Sequence, residues 1–295
     1  MINYAFLAAA VTMFSFQFLF NGIFEKEYGN GIKAMLVFSS GSSAVGFIIL
    51  LAINKFQFEF TPFTLIMAIF AALDSVGYTY FSLKSLGRIN LSMYSMFAML
   101  GGMVLPSIAG ICFFGEERTA GKAVCFALIL VSLLLTIKKG DKKSGYIYYM
   151  GVFMLNGLSG VLSTIFKNSP YEKTSEAGYS VLIALSAMLI SLVFLPFVRE
   201  KGKKLTKKAV FSMAGYGVLC RMGNYLLLIA LASIPASAQY PFVTGGVMIL
   251  STVISMFTKN KPSKREIAGV GISFVGLIVL MITEMLNEQM INAKV

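Results

Sequence analysis

The sequence predicts an all-α membrane protein of ten transmembrane helices in two inverted five-helix repeats, and three observations carry that prediction. Of 295 residues, 57% are hydrophobic and only 13% are charged, about half the charged share of soluble domains. The apolar residues gather into runs of roughly 17 to 25, the length a helix needs to cross about 30 Å of hydrocarbon. Fragments of the first half recur, in the same order, in the second.

The runs cover 3–24, 32–53, 62–84, 90–114, 120–137, 145–166, 177–198, 208–231, 236–257 and 266–286. The first lacks a basic leader and a small-residue cleavage site, so it reads as a helix that stays in the membrane; "EKEYGNG" ends it. The second carries "SSGSSAVG", a small-residue face that lets backbones approach closely. Asp74 interrupts the third, "GGMVL" lies inside the fourth, and the fifth is rich in small residues up to the linker "KKGDKKSG". Asn156, Ser159 and Ser163 mark the sixth, and "REKGKKLTKK" separates the seventh from the eighth, which holds Arg221. The ninth contains "GGVMI", and Gly269, Ser273 and Gly276 make a small face on the tenth. No stretch is left over for a soluble domain.

The net charge of +12 does not indicate nucleic acid, because the basic residues stand at the ends of apolar runs, where they set topology and meet lipid headgroups. Alternate connections hold 18 Lys and Arg on one side against 6 on the other. The expected location is the cell membrane, with both termini outside. Cys112, Cys125 and Cys220 all fall inside apolar runs, where a thiol behaves as a small hydrophobe. With no histidine and no carboxylate cluster, neither a zinc site nor a histidine-based triad can be assembled, and no cofactor is expected.

"GGMVL" at 101–105 returns as "GGVMI" at 245–249, an offset of 144 that also carries Thr119 onto Ser263 and Ser132 onto Gly276. "GYTYFSLKSLGRINLSMYS" from Gly77 aligns with "GNYLLLIALASIPASAQYP" from Gly223 at offset 146, matching Tyr94 to Tyr240. The two units are 1–143 and 144–295. Five crossings per unit force the second copy to enter from the opposite face, the arrangement in which solute sites lie near the midplane at the repeat interface.

"LPSIAGICFFGEERTAGKAVCFALILVSLLL", with Gly115-Glu116 after the fourth helix, and "IPASAQYPFVTGG" from Ile234 resemble the EamA branch of the drug/metabolite transporter superfamily over the whole chain. Two features depart from the family pattern. "TKNKPSKRE" replaces the acidic residue expected after the ninth helix, and Gly101-Gly102 and Gly245-Gly246 stand where a helix-breaking proline is common. The resemblance implies a secondary transporter of a small organic solute, such as an amino-acid-like metabolite or a drug-like compound, with a cavity lined by helices one, three, four, six, eight and nine. Nothing resembles an ATP-binding loop, so gradients or exchange would supply the energy. A coupled proton or counter-substrate and a homodimeric assembly are further partners this reading admits. The alternatives are a non-transporting membrane protein, such as an assembly factor or a lipid-intermediate enzyme, and an organic-cation exporter.

Candidate site residues follow from depth and spacing. Asp74 lies twelve residues from both Pro62 and Leu86, at the midplane, where a charge costs about 2.5–3.5 kcal/mol and calls for a partner or a wet cavity. At offset 146 it maps beside Arg221, which places the two charges at matching depth on opposed helices. They either pair structurally or flank a cavity suited to a zwitterion; a cation would need Asp74 free and Arg221 turned away. Tyr78 extends the Asp74 face, and Asn224 and Tyr225 extend that of Arg221. Gln17 and Asn21 on helix one, Asn156 and Ser163 on helix six, and the matched Tyr94 and Tyr240 complete the set. Glu116 and Glu117 read as a solvated helix end.

Overall fold

Short polar residues open the helices. In the computed structural model, Thr61 Oγ1 accepts from the Thr64 amide at 3.2 Å, Ser175 Oγ from Gly178 at 3.0 Å, and Thr206 Oγ1 from Ala209 at 3.1 Å. Asn90 Oδ1 does the same for Met93 at 2.9 Å, and Thr119 Oγ1 for Lys122 at 3.2 Å. Each side chain satisfies an amide that the first turn leaves open. Ser263 and Glu266 bond reciprocally, Glu266 N to Ser263 Oγ at 3.4 Å and Ser263 N to Glu266 Oε2 at 2.6 Å, which is a capping box. Thr119 and Ser263, matched in the sequence, thus begin equivalent helices.

The structure describes residues 2–113, 115, 119–136, 146–200, 203–231, 236–258 and 261–292. Within helices, the side chains of 2–3, 228–229, 231, 236–241, 284 and 287–292 are outside this description. The unit boundary at 143, Glu116, Glu117 and the Tyr240 side chain lie outside the described residues.

Among the described residues the chain forms α1 (Ile2–Tyr28), α2 (Ile32–Ile53), α3 (Pro62–Leu86), α4 (Leu91–Phe113), α5 (Ala120–Thr136), α6 (Tyr146–Asn168), α7 (Glu176–Phe194), α8 (Lys207–Leu231), α9 (Ala236–Met256) and α10 (Lys264–Asn292). A short 3-10 turn, Leu195–Phe197, follows α7. Every apolar run is a helix. Two outlast their runs by four residues or more: α1 continues through Glu25, Lys26 and Glu27, and α10 through polar residues to Asn292, since such side chains favour helix as well as apolar ones do.

By length and composition, seven helices among the described residues can cross a membrane: Tyr4–Tyr28, Ile32–Ile53, Pro62–Leu86, Leu91–Phe113, Tyr146–Asn168, Glu176–Phe197 and Lys264–Thr283. Ala120–Leu135 and Phe242–Met256 are shorter apolar helices.

Glycines set how closely the helices approach. Gly215 and Gly223 of α8 meet the rings of Phe20 and Phe14, so α1 and α8 run antiparallel. On α2, Gly41 faces Met213 and Gly46 faces Arg221, so α2 and α8 run parallel. α3 lies antiparallel to α6, with Phe81 over Gly151 and Gly77 beside Leu155. α4 lies parallel to α6 through Gly101, Gly102, Gly157 and Gly160, and Asn156 Nδ2 donates across that contact to the Ala98 carbonyl at 2.6 Å. Further contacts join α1 with α9, α2 with α7, α3 with α7, α4 with α9, α5 with α10 and α9 with α10. One buried cluster, including Leu7, Phe14, Phe18, Tyr94, Val243 and Val247, lies where α1, α4, α8 and α9 converge.

Connections on both ends are tied across the molecule. Glu200, beyond α7, accepts from the Ile32 and Lys33 amides at the start of α2 at 3.3 and 3.1 Å. At the other end Glu59, beyond α2, accepts from Ser175 N and Oγ at the start of α7, both at 2.6 Å. These two bonds hold the Glu59 carboxyl below its ordinary range, its desolvation being the weaker influence.

Candidate functional site

Gln17 and Asn21 share one face of α1, and Asp74, Tyr78 and Ser82 share one face of α3, each pair four residues apart. A helix satisfies its own backbone, so these polar tips are available to one another. Asn21 Nδ2 donates to Ser82 Oγ at 2.5 Å, Ser82 Oγ bonds the Tyr94 hydroxyl at 2.5 Å, and Tyr94 bonds the Tyr78 hydroxyl at 2.8 Å. Phe18 sets its ring edge-on to Tyr94 with centroids 5.1 Å apart. From α8, Tyr216 and Cys220 lie within electrostatic range of Tyr94 and Tyr78. The result is a buried polar network joining α1, α3, α4 and α8.

Three oxygens in this region have no partner. Gln17 Oε1, Asn21 Oδ1 and Asp74 Oδ1 are sealed from solvent without a hydrogen bond, on residues 6%, 1% and 8% exposed. Asp74 sits one turn from Tyr78, level with Leu158 and Ser159 of α6 by the register that sets Phe81 over Gly151. Tyr179 of α7, whose hydroxyl is also buried and unpartnered, is within its electrostatic range.

Arg221 is close in depth but turned elsewhere. The Asn21–Ser82 bond puts Asp74 level with Met13, and Phe14 meets Gly223. Arg221 therefore lies within about three residues of that level, roughly 4.5 Å of helix rise. No ion pair joins it to Asp74 among the described residues. Its Nε instead lies 2.9 Å from where a Cβ on Gly46 would stand, with Cγ at 3.3 Å, so the stem runs along α2 over a position that only glycine leaves open.

The remaining sequence candidates stand apart from the network. Asn224 is exposed and donates to its own Cys220 carbonyl at 2.7 Å. Tyr225 is 37% exposed. Ser163 donates back to the Ser159 carbonyl at 3.0 Å. Asn156 is engaged in the α4–α6 contact. Sequence reasoning missed Ser82, Phe18 and Tyr216. Ser82 was within reach, being the next turn after Asp74 and Tyr78, whereas nothing local to Phe18 or Tyr216 distinguishes them from other apolar-helix aromatics.

Residues 143–282, α6 through most of α10, match the model of the EamA-like transporter family. The second half of the chain thus belongs to that family, within the drug/metabolite transporters, as the resemblance in the sequence implied. That family is one of membrane transporters. No curated protein matches the chain. Among solved structures, one crystal structure of a protein is 14% identical, covers 94% of this chain and 95% of its own, and superposes with a TM-score of 0.57. At that identity the likeness speaks for the fold alone.

Proposed function

We propose that this protein is a secondary transporter that moves a small organic solute across the cell membrane by alternating access. All ten helices would cross the bilayer, in inverted repeats 1–143 and 144–295, with both termini outside. One observation carries the reading: the principal helix pairings recur when each helix is exchanged for the one five places along, while smaller contacts such as α1 with α3 and α2 with α3 have no counterpart. α1 on α8 becomes α6 on α3, both antiparallel; α4 on α6 becomes α9 on α1; α2 on α8 becomes α7 on α3; α2–α7, α4–α9 and α5–α10 map onto themselves. The end ties obey the same exchange, since Glu200 meets the start of α2 as Glu59 meets the start of α7.

Such symmetry supports two conformations related by rocking one unit against the other. The polar network on α1, α3, α4 and α8 is the proposed solute site, buried in the conformation described. The test is solute exchange in liposomes containing the purified protein, without ATP, over a library of amino acids, amines, nucleotides and sugars. Protein-dependent exchange of at least one class is expected. Absence of exchange throughout, with every helix end labelled from one side only, contradicts the reading.

A further inference from the structure

One face of α6 changes from sealed to open along its length. Tyr149 and Val152 are 1% and 0% exposed, while Ser159 and Ser163, two and three turns beyond Val152 on the same face, are exposed. Lipid does not account for this, because the lipid stripe of α6 is Ile147, Met154, Leu158 and Ile165, and five residues, about 140° of rotation, separate Met154 from Ser159. Ser159 stands level with Asp74, so a crevice descends from the far end of α6 to the middle of the molecule. At the opposite end, where α1 and α3 finish and the connections are basic, the helices close on one another. Asn21 bonds Ser82 there, and Leu83 is buried among Phe24, Ala34 and Phe38. One turn further along α1, Glu25 accepts from Asn30 Nδ2 at 2.9 Å, and both groups lie 2.6 Å from where a Gly87 Cβ would stand. Gly87 has φ −72°, which any residue adopts, so what the glycine supplies is room for the carboxylate. Arg88 and Lys203 are within electrostatic range of Glu25, and the Arg88 guanidinium covers the Tyr148 ring of α6 at 4.4 Å. Ser85, on the Tyr78 face of α3, is sealed here without a hydrogen-bond partner. Under the five-place exchange, α1 on α3 should recur as α6 on α8, yet among the described residues α6 does not meet α8.

We infer that Glu25, Asn30, Gly87 and Arg88 form a latch that shuts the basic end of the solute path, while the opposite end stands open down to Ser159. This rests on the transporter reading above and deepens it. Passage to the second conformation lifts Glu25 off Gly87, parts α1 from α3 and brings α6 onto α8. Ser159 and Ser163 are then covered, and Ser85 is uncovered.

Reaction of introduced cysteines with a water-soluble maleimide tests this in open membrane fragments, where both faces meet the reagent. Peptide masses separate the new site from Cys112, Cys125 and Cys220. Ser163→Cys should react at least tenfold faster than Met154→Cys, on the lipid stripe, and than Ser85→Cys. Gly87→Leu places a side chain where the latch closes; with it, Ser85→Cys should react tenfold or more faster and Ser163→Cys threefold or more slower. Glu25→Ala releases the latch without adding volume and should shift both rates in the same directions, so it carries the test if Gly87→Leu does not fold. Ser163→Cys reacting no faster than Met154→Cys overturns the open end. Rates unchanged by the latch variants, or raised together at both sites, overturn the latch. Exchange in liposomes judges the transporter reading on its own: exchange without these shifts leaves transport standing and removes the latch.

Discussion

Substituting Gly101→Ala tests the close backbone approach between α4 and α6. A Cβ at this position would overlap the Phe153 carbonyl oxygen and lie 2.7 Å from the Phe153 Cα. Both are backbone atoms, so no rotamer change gives relief, and α4 and α6 must separate by roughly 1 Å to regain ordinary contact. That separation stretches the Asn156–Ala98 bond from 2.6 Å to about 3.6 Å, beyond hydrogen-bond range. Overpacking typically costs about 1–3 kcal/mol, and an interhelical hydrogen bond in a membrane protein about 0.6 kcal/mol. Alanine returns up to about 1 kcal/mol of helix propensity, which leaves a net loss of about 1–3 kcal/mol. Unfolding by sodium dodecyl sulfate in mixed micelles measures it. Gly271→Ala is the control, because a Cβ there meets nothing within 4 Å, and it should match or exceed wild type. If the two variants unfold within about 0.5 kcal/mol of each other, the α4–α6 contact is not the close one described.

Tyr94→Phe leaves the Tyr78 and Ser82 hydroxyls without their shared partner; a loss of about 1–2 kcal/mol is expected from unsatisfied buried groups, read in the same unfolding assay, and no loss would mean that water replaces it. The Glu59 carboxyl titrates below its reference value of 4.5 in the folded protein, so its contribution is present above about pH 4.5 and disappears as the pH falls through the folded value. Glu59→Gln should therefore lower the melting temperature at pH 7 and converge on wild type in acid; a gap that does not narrow would count against the Ser175 tie. Sidedness is checked with cysteines at Tyr171 and Lys203 and an impermeant maleimide on intact cells: position 171 should label and position 203 should not, and the reverse result would invert the proposed topology.

The order and type of the helices were legible because each is governed by a local property. An apolar run long enough to cross a membrane leaves its backbone no partner but itself, and Thr61, Asn90, Thr119, Ser175, Thr206 and Ser263 announce the starts through their own side chains. The equivalence of Thr119 and Ser263 was visible for the same reason. Helix ends beyond the apolar runs, at Tyr28 and Asn292, were not, since polarity marks where hydrocarbon stops and not where helix stops.

The candidate site was legible only as a set of depths and faces. Sequence by itself determined that Asp74 lies mid-helix, that Gln17 and Asn21 share a face, and that Arg221 stands at a comparable level. Tertiary structure alone decided which faces meet: Tyr94 reaching Ser82 and Tyr78, Asn156 spent on the Ala98 carbonyl, and Arg221 drawn over Gly46 away from Asp74. One residue turns a helix by about 100°, so depth can be read from chain position, while the direction a side chain takes depends on how neighbouring helices pack, and here that packing is set by glycines far apart in the sequence.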